Sequence, residues 1–156
     1  MAVRAREYLA GHEFALVLTS PLARASETCR LAGFGDQAVV EPNLAEWDYG
    51  VYEGRTSDEI RREEPNWSIW SSTITGGESI AELGHRAEAV ISEAVKAPGD
   101  VLMFAHGHII RVLAAAWVGC PYDAGRILAL DTAALCVLGY ERETRVVRMW
   151  NRRLWE

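Results

Sequence analysis

The feature that most constrains this chain is a junction that occurs twice. FALVLTS, residues 14–20, is a short apolar run rich in strand formers, and it passes without a linker into SPLARASETCRLAG. VLMFA, residues 101–105, does the same into HGHIIRVLAAAWVG. Short apolar runs of this kind suit strands buried on both faces of a parallel sheet. Ser20 reads as an N-cap and Pro21 as a first helical position, so a helix is expected from residue 21, stopped by Gly33. A second helix is expected after His108, ending at Gly119 and Pro121. Such junctions place helix N–H groups and the positive end of a dipole beyond the carboxyl ends of strands. That is where open α/β sheets bind ligands and where an anion is favoured.

The rest of the chain fits the same architecture. AVRAREYLAG predicts a short helix stopped by Gly11, with no start signal of its own. QAVVEPN, residues 37–43, is a second strand candidate, and LAEWDYGVYEGR is loop-like, with glycines among aromatics. Thr56 and Glu59 have capping-box spacing for a short helix ended by Pro65. After a Trp- and Ser-rich loop to Gly77, Ser79 and Glu82 repeat that spacing. Leu83, Ala87, Val90, Ile91, Ala94 and Val95 follow at helical intervals, closed by Pro98 and Gly99. The tail gives two strands, AALCVLGY and RVVRMWN, around the turn ERET. Strands alternating with helices predict one α/β domain over residues 1–156, mostly parallel, with an antiparallel edge.

Charge narrows the partners. A net charge of -6 argues against non-specific nucleic-acid or membrane binding, and leaves room for a small basic pocket. No apolar run reaches membrane-spanning length. Arg4 and Arg6 interrupt the N-terminus, so no signal peptide is visible. Cys29, Cys120 and Cys136 lie far apart without zinc-type spacing, which fits reduced thiols in a cytoplasmic protein.

Four positions could carry chemistry. Arg24, in the first turn of its helix, opposes the dipole by about 0.3–1 kcal/mol, and a bound phosphate would reverse that sign. The competing reading, equally weighted, is a surface arginine paired with Glu27. His106 stands at a strand end, and Gly107 behind it lets the backbone approach a ligand. A metal pair of His106 with His108 lacks a third ligand at suitable spacing, so no metal is expected. Glu46, beside Trp47 and Tyr49, has an environment suited to a general acid. Glu41, Asp48 and Glu53 compete with it on local chemistry. Glu78 and Ser79 are either a loop and helix cap or the border of a site.

In order, SPLARASETC, LAEWDYGVYEG, GGES and FAHGHIIR resemble the histidine phosphatase superfamily, the phosphoglycerate mutase-like fold. The match covers about residues 20–111, and the tail to Trp150 also fits. The middle segments look most like small bacterial acid and sugar-phosphate phosphatases. The resemblance implies a three-layer α/β/α fold. It implies that Arg24 holds the phosphoryl group and that Glu46 protonates the leaving oxygen. His106 would hydrogen-bond the phosphoryl oxygens, helped by the Gly107 amide. The substrate would be a small phosphorylated molecule, with no cofactor.

One departure is large. The family opens with a strand ending in Arg-His-Gly, whose histidine is the nucleophile, and no Arg-His-Gly occurs here. Neither His12 nor His85 sits in such a context. The family's first strand, which lies between the strand ending at His106 and the tail strands, has no counterpart. The chain is therefore expected to be N-terminally truncated relative to the family and inactive alone. A start assigned too far downstream, a fragment, or a natural remnant would each produce this. Open sheet edges would make it marginal or a homodimer. The alternatives to a phosphatase are a phosphate-binding pseudophosphatase and a phosphoglycerate mutase. The aromatic loop 47–52, with Trp67 and Trp70, is expected either to wall the pocket or to pack in the core.

Overall fold

The computed structural model describes residues 2–154. Strands β1 (Leu16–Thr19), β2 (Ala38–Val40) and β3 (Val101–Phe104) form a parallel sheet in the order β2-β1-β3. β1 is central: Thr19 pairs with Val40 on one side and Phe104 on the other. Its apolar sequence follows from burial on both faces. Val17 turns toward Leu9, Cys29 and Ala32, while Leu18 turns toward Leu83, Val90, Ile109 and Val112. Helices α1 (Ala2–Leu9) and α2 (Ala23–Leu31) supply the first layer, and α4 (Ile80–Ala94) and α5 (Gly107–Trp117) the second. The result is the expected α/β/α sandwich. Burying each such aliphatic side chain contributes about 1.5–3 kcal/mol as an upper estimate.

Both capping boxes form. Thr56 and Glu59 start α3 (Ser57–Glu63), and Ser79 and Glu82 start α4. Two helix starts differ from expectation. α2 begins at Ala23 with Leu22 as its N-cap, and the Ser20 hydroxyl accepts from Leu22 N while also facing a second partner described below. α5 begins at Gly107, so His106 is its N-cap residue and His108 lies inside its first turn.

The tail forms β4 (Leu135–Glu141) and β5 (Thr144–Arg152), antiparallel, with a tighter turn than ERET suggested. The indole Nε1 of Trp117 on α5 donates to the carbonyls of Gly139 and Val146, at 3.2 and 3.1 Å, fixing this ribbon to the helix. Among the described residues β3 pairs only with β1, and β4 and β5 pair only with each other. Among the described residues no strand joins the two sheets where the resemblance places the family's first strand. No helix among the described residues is long and apolar enough to cross a membrane.

Candidate phosphate-binding site

The parallel register brings the two strand–helix junctions side by side. Ser20 N donates to Phe104 O at 2.9 Å, extending the β1–β3 ladder by one residue. Beyond that bond the chains diverge into α2 and α5. Arg24, in the first turn of α2, then reaches across, and its Nε donates to His106 Nδ1 at 2.9 Å. The alternative partner is taken: Glu27 binds Arg30 through two bonds of 2.8 and 2.6 Å. Arg24 is solvent-exposed, whereas His106 is only 6% exposed.

That contact sets the protonation of His106. Arginine Nε can only donate, so His106 Nδ1 must be bare. The ring is then neutral with its proton on Nε2, which lies 2.7 Å from Ser20 Oγ and donates to it. Burial lowers the His106 pKa, the Arg24 charge lowers it further, and Glu46 partly opposes both.

Glu46 is seated on the N-terminus of α5. Its carboxylate accepts from His108 N at 3.2 Å through each oxygen, and its Oε1 accepts from Ile109 N at 3.1 Å and Trp47 N at 3.0 Å. Backbone N–H groups at a helix start are a natural seat for an anion. The competing carboxylates serve turns instead. Glu41 accepts from Asn43 N, Asp48 from Gly50 N, and Glu53 from Tyr49 N, each at 2.9 Å. Gly107 is exposed, and a Cβ there would have only Glu46 Oε2 nearby, at 3.8 Å. A side chain would therefore occupy the approach to the junction rather than collide with protein.

The loop carrying Glu46 is clamped from α4. Arg86 binds Glu78 bidentately at 2.6 and 2.7 Å, and its Nη1 donates to the carbonyls of Asn43 and Ala45 at 2.7 and 2.9 Å. Its Nη2 also reaches Glu46 O at 3.4 Å. Trp47 Nε1 donates to Glu78 O at 2.7 Å. Glu78 thus supports the site from behind. Sequence reasoning missed Arg86; its signal was a cation eight residues after Glu78, beside the apolar stripe of α4. Gly50, at φ 50, lies so close to Thr75 O and Gly77 N that no side chain fits.

The aromatic residues divide. Trp47 and Trp67 are core, at 2% and 7% exposure. Tyr49 and Trp70 are half-buried and surround His108, with ring centroids 5.6 and 5.3 Å from it. Burial pushes the Tyr49 pKa up, with Glu46 and Glu53 adding to it, so its hydroxyl stays protonated, and it shares a hydrogen bond of 2.7 Å with His108 Nδ1. Burial also lowers the His108 pKa; Glu46 opposes this and Arg111 reinforces it. Arg111 stacks over Trp70, 4.6 Å from the ring centre. His12 stacks on Phe14 and His85 meets Tyr122 edge-on, so each has its own aromatic contact away from His106.

A recess of about 370 Å³ adjoins Glu46 and is lined also by Asp48, Glu78 and Arg86. A larger cavity of about 1010 Å³ lies between the 69–74 loop, α4 and the end of α5, and neither Arg24, Glu46 nor His106 lines it. The candidate site is the Arg24–His106 contact, because a cation beside hydrogen-bonding groups, not volume, recognises an anion. Among the described residues no three His, Cys, Asp or Glu side chains converge as a metal site would require.

Several known proteins are similar to this chain. An acid phosphatase of Mycobacterium tuberculosis is 38% identical over 132 residues, covering 83% of this chain and 64% of that protein. A sedoheptulose 1,7-bisphosphatase of Saccharomyces cerevisiae is 30% identical over 142 residues, covering 74% and 52%. The chain thus spans less than two thirds of the length of these curated relatives. The solved structure of an open reading frame product from M. tuberculosis superposes with a TM-score of 0.91 at 34% identity, covering 98% of this chain and 81% of that one. The family model for the histidine phosphatase superfamily, branch 1, matches residues 1–153. With that match and the α/β/α sandwich, the chain belongs to the histidine phosphatase superfamily.

Proposed function

We propose that this chain carries the phosphoryl-binding machinery of a metal-independent phosphomonoesterase for small phosphorylated molecules such as sugar phosphates. The observation that carries the reading is the meeting of Arg24 with His106 across 82 residues, beside the Glu46 carboxylate. Phosphoryl transfer is mainly positioning and charge stabilisation. Arg24 holds the phosphoryl oxygens, and His106 and the Gly107 amide add hydrogen bonds. Glu46 gives a proton to the leaving oxygen. As a carboxylate it then takes one from the water that attacks the phosphohistidine. The names of the two curated relatives support a small phosphoester as substrate.

The nucleophile in this scheme is the histidine of an Arg-His-Gly segment, which the 156-residue sequence does not contain. By this reading the 156-residue chain binds phosphate and does not turn over. The contacts of His12 and His85 favour a second reading, a phosphate-binding protein without hydrolysis. Assay of p-nitrophenyl phosphate hydrolysis, with and without an appended Arg-His-Gly strand, separates the two. Turnover gained with the strand supports the phosphatase, and binding without turnover in both supports the second reading. Robust metal-free turnover by the short chain, dependent on His106, overturns the view of the nucleophile. The unpaired edge of β3 supports a homodimer, which light scattering tests.

A further inference from the structure

We propose that Ser20 is a positioning residue: it holds the Nε2 edge of His106, so that an anion at Arg24 meets Nδ1 and its binding brings a proton onto that nitrogen. The proton-uptake half of this proposal rests on the phosphate-binding reading above; the Ser20 half does not.

Ser20 is fully buried at the end of β1, where a hydroxyl is costly without partners. Its Oγ accepts from Leu22 N at 3.2 Å and from His106 Nε2 at 2.7 Å. The sequence suggested a helix cap, but α2 starts only at Ala23, and the hydroxyl faces the imidazole as well as Leu22 N. Both ring nitrogens of His106 are therefore engaged, Nε2 by a buried hydroxyl and Nδ1 by an exposed guanidinium.

The two edges are not equivalent toward a ligand. The Nε2 edge faces a residue with no solvent exposure, while the Nδ1 edge faces Arg24, the cation a phosphate would seek. A bare Nδ1 is an acceptor, and so is every terminal oxygen of a phosphate monoester dianion, so the two repel. Placing a proton between them removes the repulsion. It also ends the Arg24 Nε–Nδ1 bond, since two donors cannot face each other, and frees Arg24 to grip the anion with its fork. The ionisable groups acting on His106 are Arg24 from α2 and Glu46 from the loop before Trp47. The Ser20 hydroxyl from β1 completes the surroundings. Arg24 opposes the proton and Glu46 favours it, so an anion that draws Arg24 away tips the balance. Atoms balance simply: one proton moves from solvent to Nδ1.

Two measurements decide the proposal. Long-range 1H–15N correlation of the free protein is expected to give His106 as the Nε2–H tautomer throughout, since Arg24 sets it, with the Nε2 proton held against solvent exchange in wild type and Ser20→Thr and lost to exchange in Ser20→Ala. An Nδ1–H tautomer in wild type, or an Nε2 proton held equally in Ser20→Ala, overturns the Ser20 assignment whether or not phosphate binds. Should Ser20→Ala not fold, the wild-type and Ser20→Thr spectra decide. Calorimetric titration of phenyl phosphate, whose dianion carries no hydroxyl at about pH 8, in buffers of differing ionisation enthalpy, is expected to give uptake of about one proton per ligand. Binding with no uptake overturns the proton step alone. Absence of binding overturns both the proton step and the phosphate reading.

Discussion

Arg24 Nε donates to His106 Nδ1 at 2.9 Å, and this bond closes the gap between two strand–helix junctions 82 residues apart. It is made by an exposed cation and a buried neutral ring. Several measurable consequences follow from the groups around it.

Arg24→Ala removes the charge that a phosphate would bind. A charge-assisted bond is worth about 1.5–3 kcal/mol, so inorganic phosphate affinity should fall roughly 10- to 100-fold. Arg24 is exposed, and its loss should leave the denaturant midpoint nearly unchanged. Arg24→Lys keeps the charge but not the fork, and should restore only part of the affinity. Calorimetry and urea unfolding together check these outcomes.

Arg86→Ala should act on stability. The Arg86–Glu78 pair is largely buried, at 21% and 14% side-chain exposure, and Arg86 also serves the carbonyls of Asn43 and Ala45. Removing one partner leaves a carboxylate and two carbonyls short of donors, at a cost of about 3 kcal/mol. Arg86→Lys should recover less than half of that, because one ammonium cannot span Glu78 and both carbonyls. Urea unfolding gives the values.

Acid should destabilise the fold through the buried His106 and the half-buried His108. Burial first, then Arg24, lowers the pKa of His106, and burial lowers that of His108. A base whose pKa is lower when folded binds more protons unfolded, so stability falls as pH drops. The loss begins near the unfolded value of 6.5 and continues through the depressed folded values. Unfolding free energy measured from pH 8 to pH 5 should decline below about pH 6.5. His106→Asn should flatten the curve by its own share.

Gly50→Ala should loosen the loop that bears Glu46. Gly50 has φ 50, and the carbonyl of Thr75 sits where its Cβ would go. Strain in the left-handed region and a backbone collision add, so a loss of about 2 kcal/mol or more is expected. A cooperative transition with a lowered midpoint is the readout.

Much of this site was legible in the sequence, for a physical reason. Strand ends and helix starts are local signals, and LVLTSP and FAHG carry them within a few residues, so Arg24 and His106 could be named before their contact was known. Glu46 was harder, because Glu41, Asp48 and Glu53 have similar neighbours. Only the fold distinguishes the carboxylate that reaches α5 from three that cap turns. Ser20 was read as a helix cap because a hydroxyl before a proline fits that role locally, and its partner lies 86 residues away. Arg86 gave no local sign that its targets would be backbone carbonyls some 40 residues upstream.

The most direct test of the account is titration of the 156-residue protein with inorganic phosphate, compared with the doubly substituted Arg24→Ala/His106→Asn protein. The account predicts one phosphate per chain for the wild type and no detectable binding for the double variant, with both proteins folded by circular dichroism. Equal binding by the two proteins, or none by the folded wild type, would contradict it.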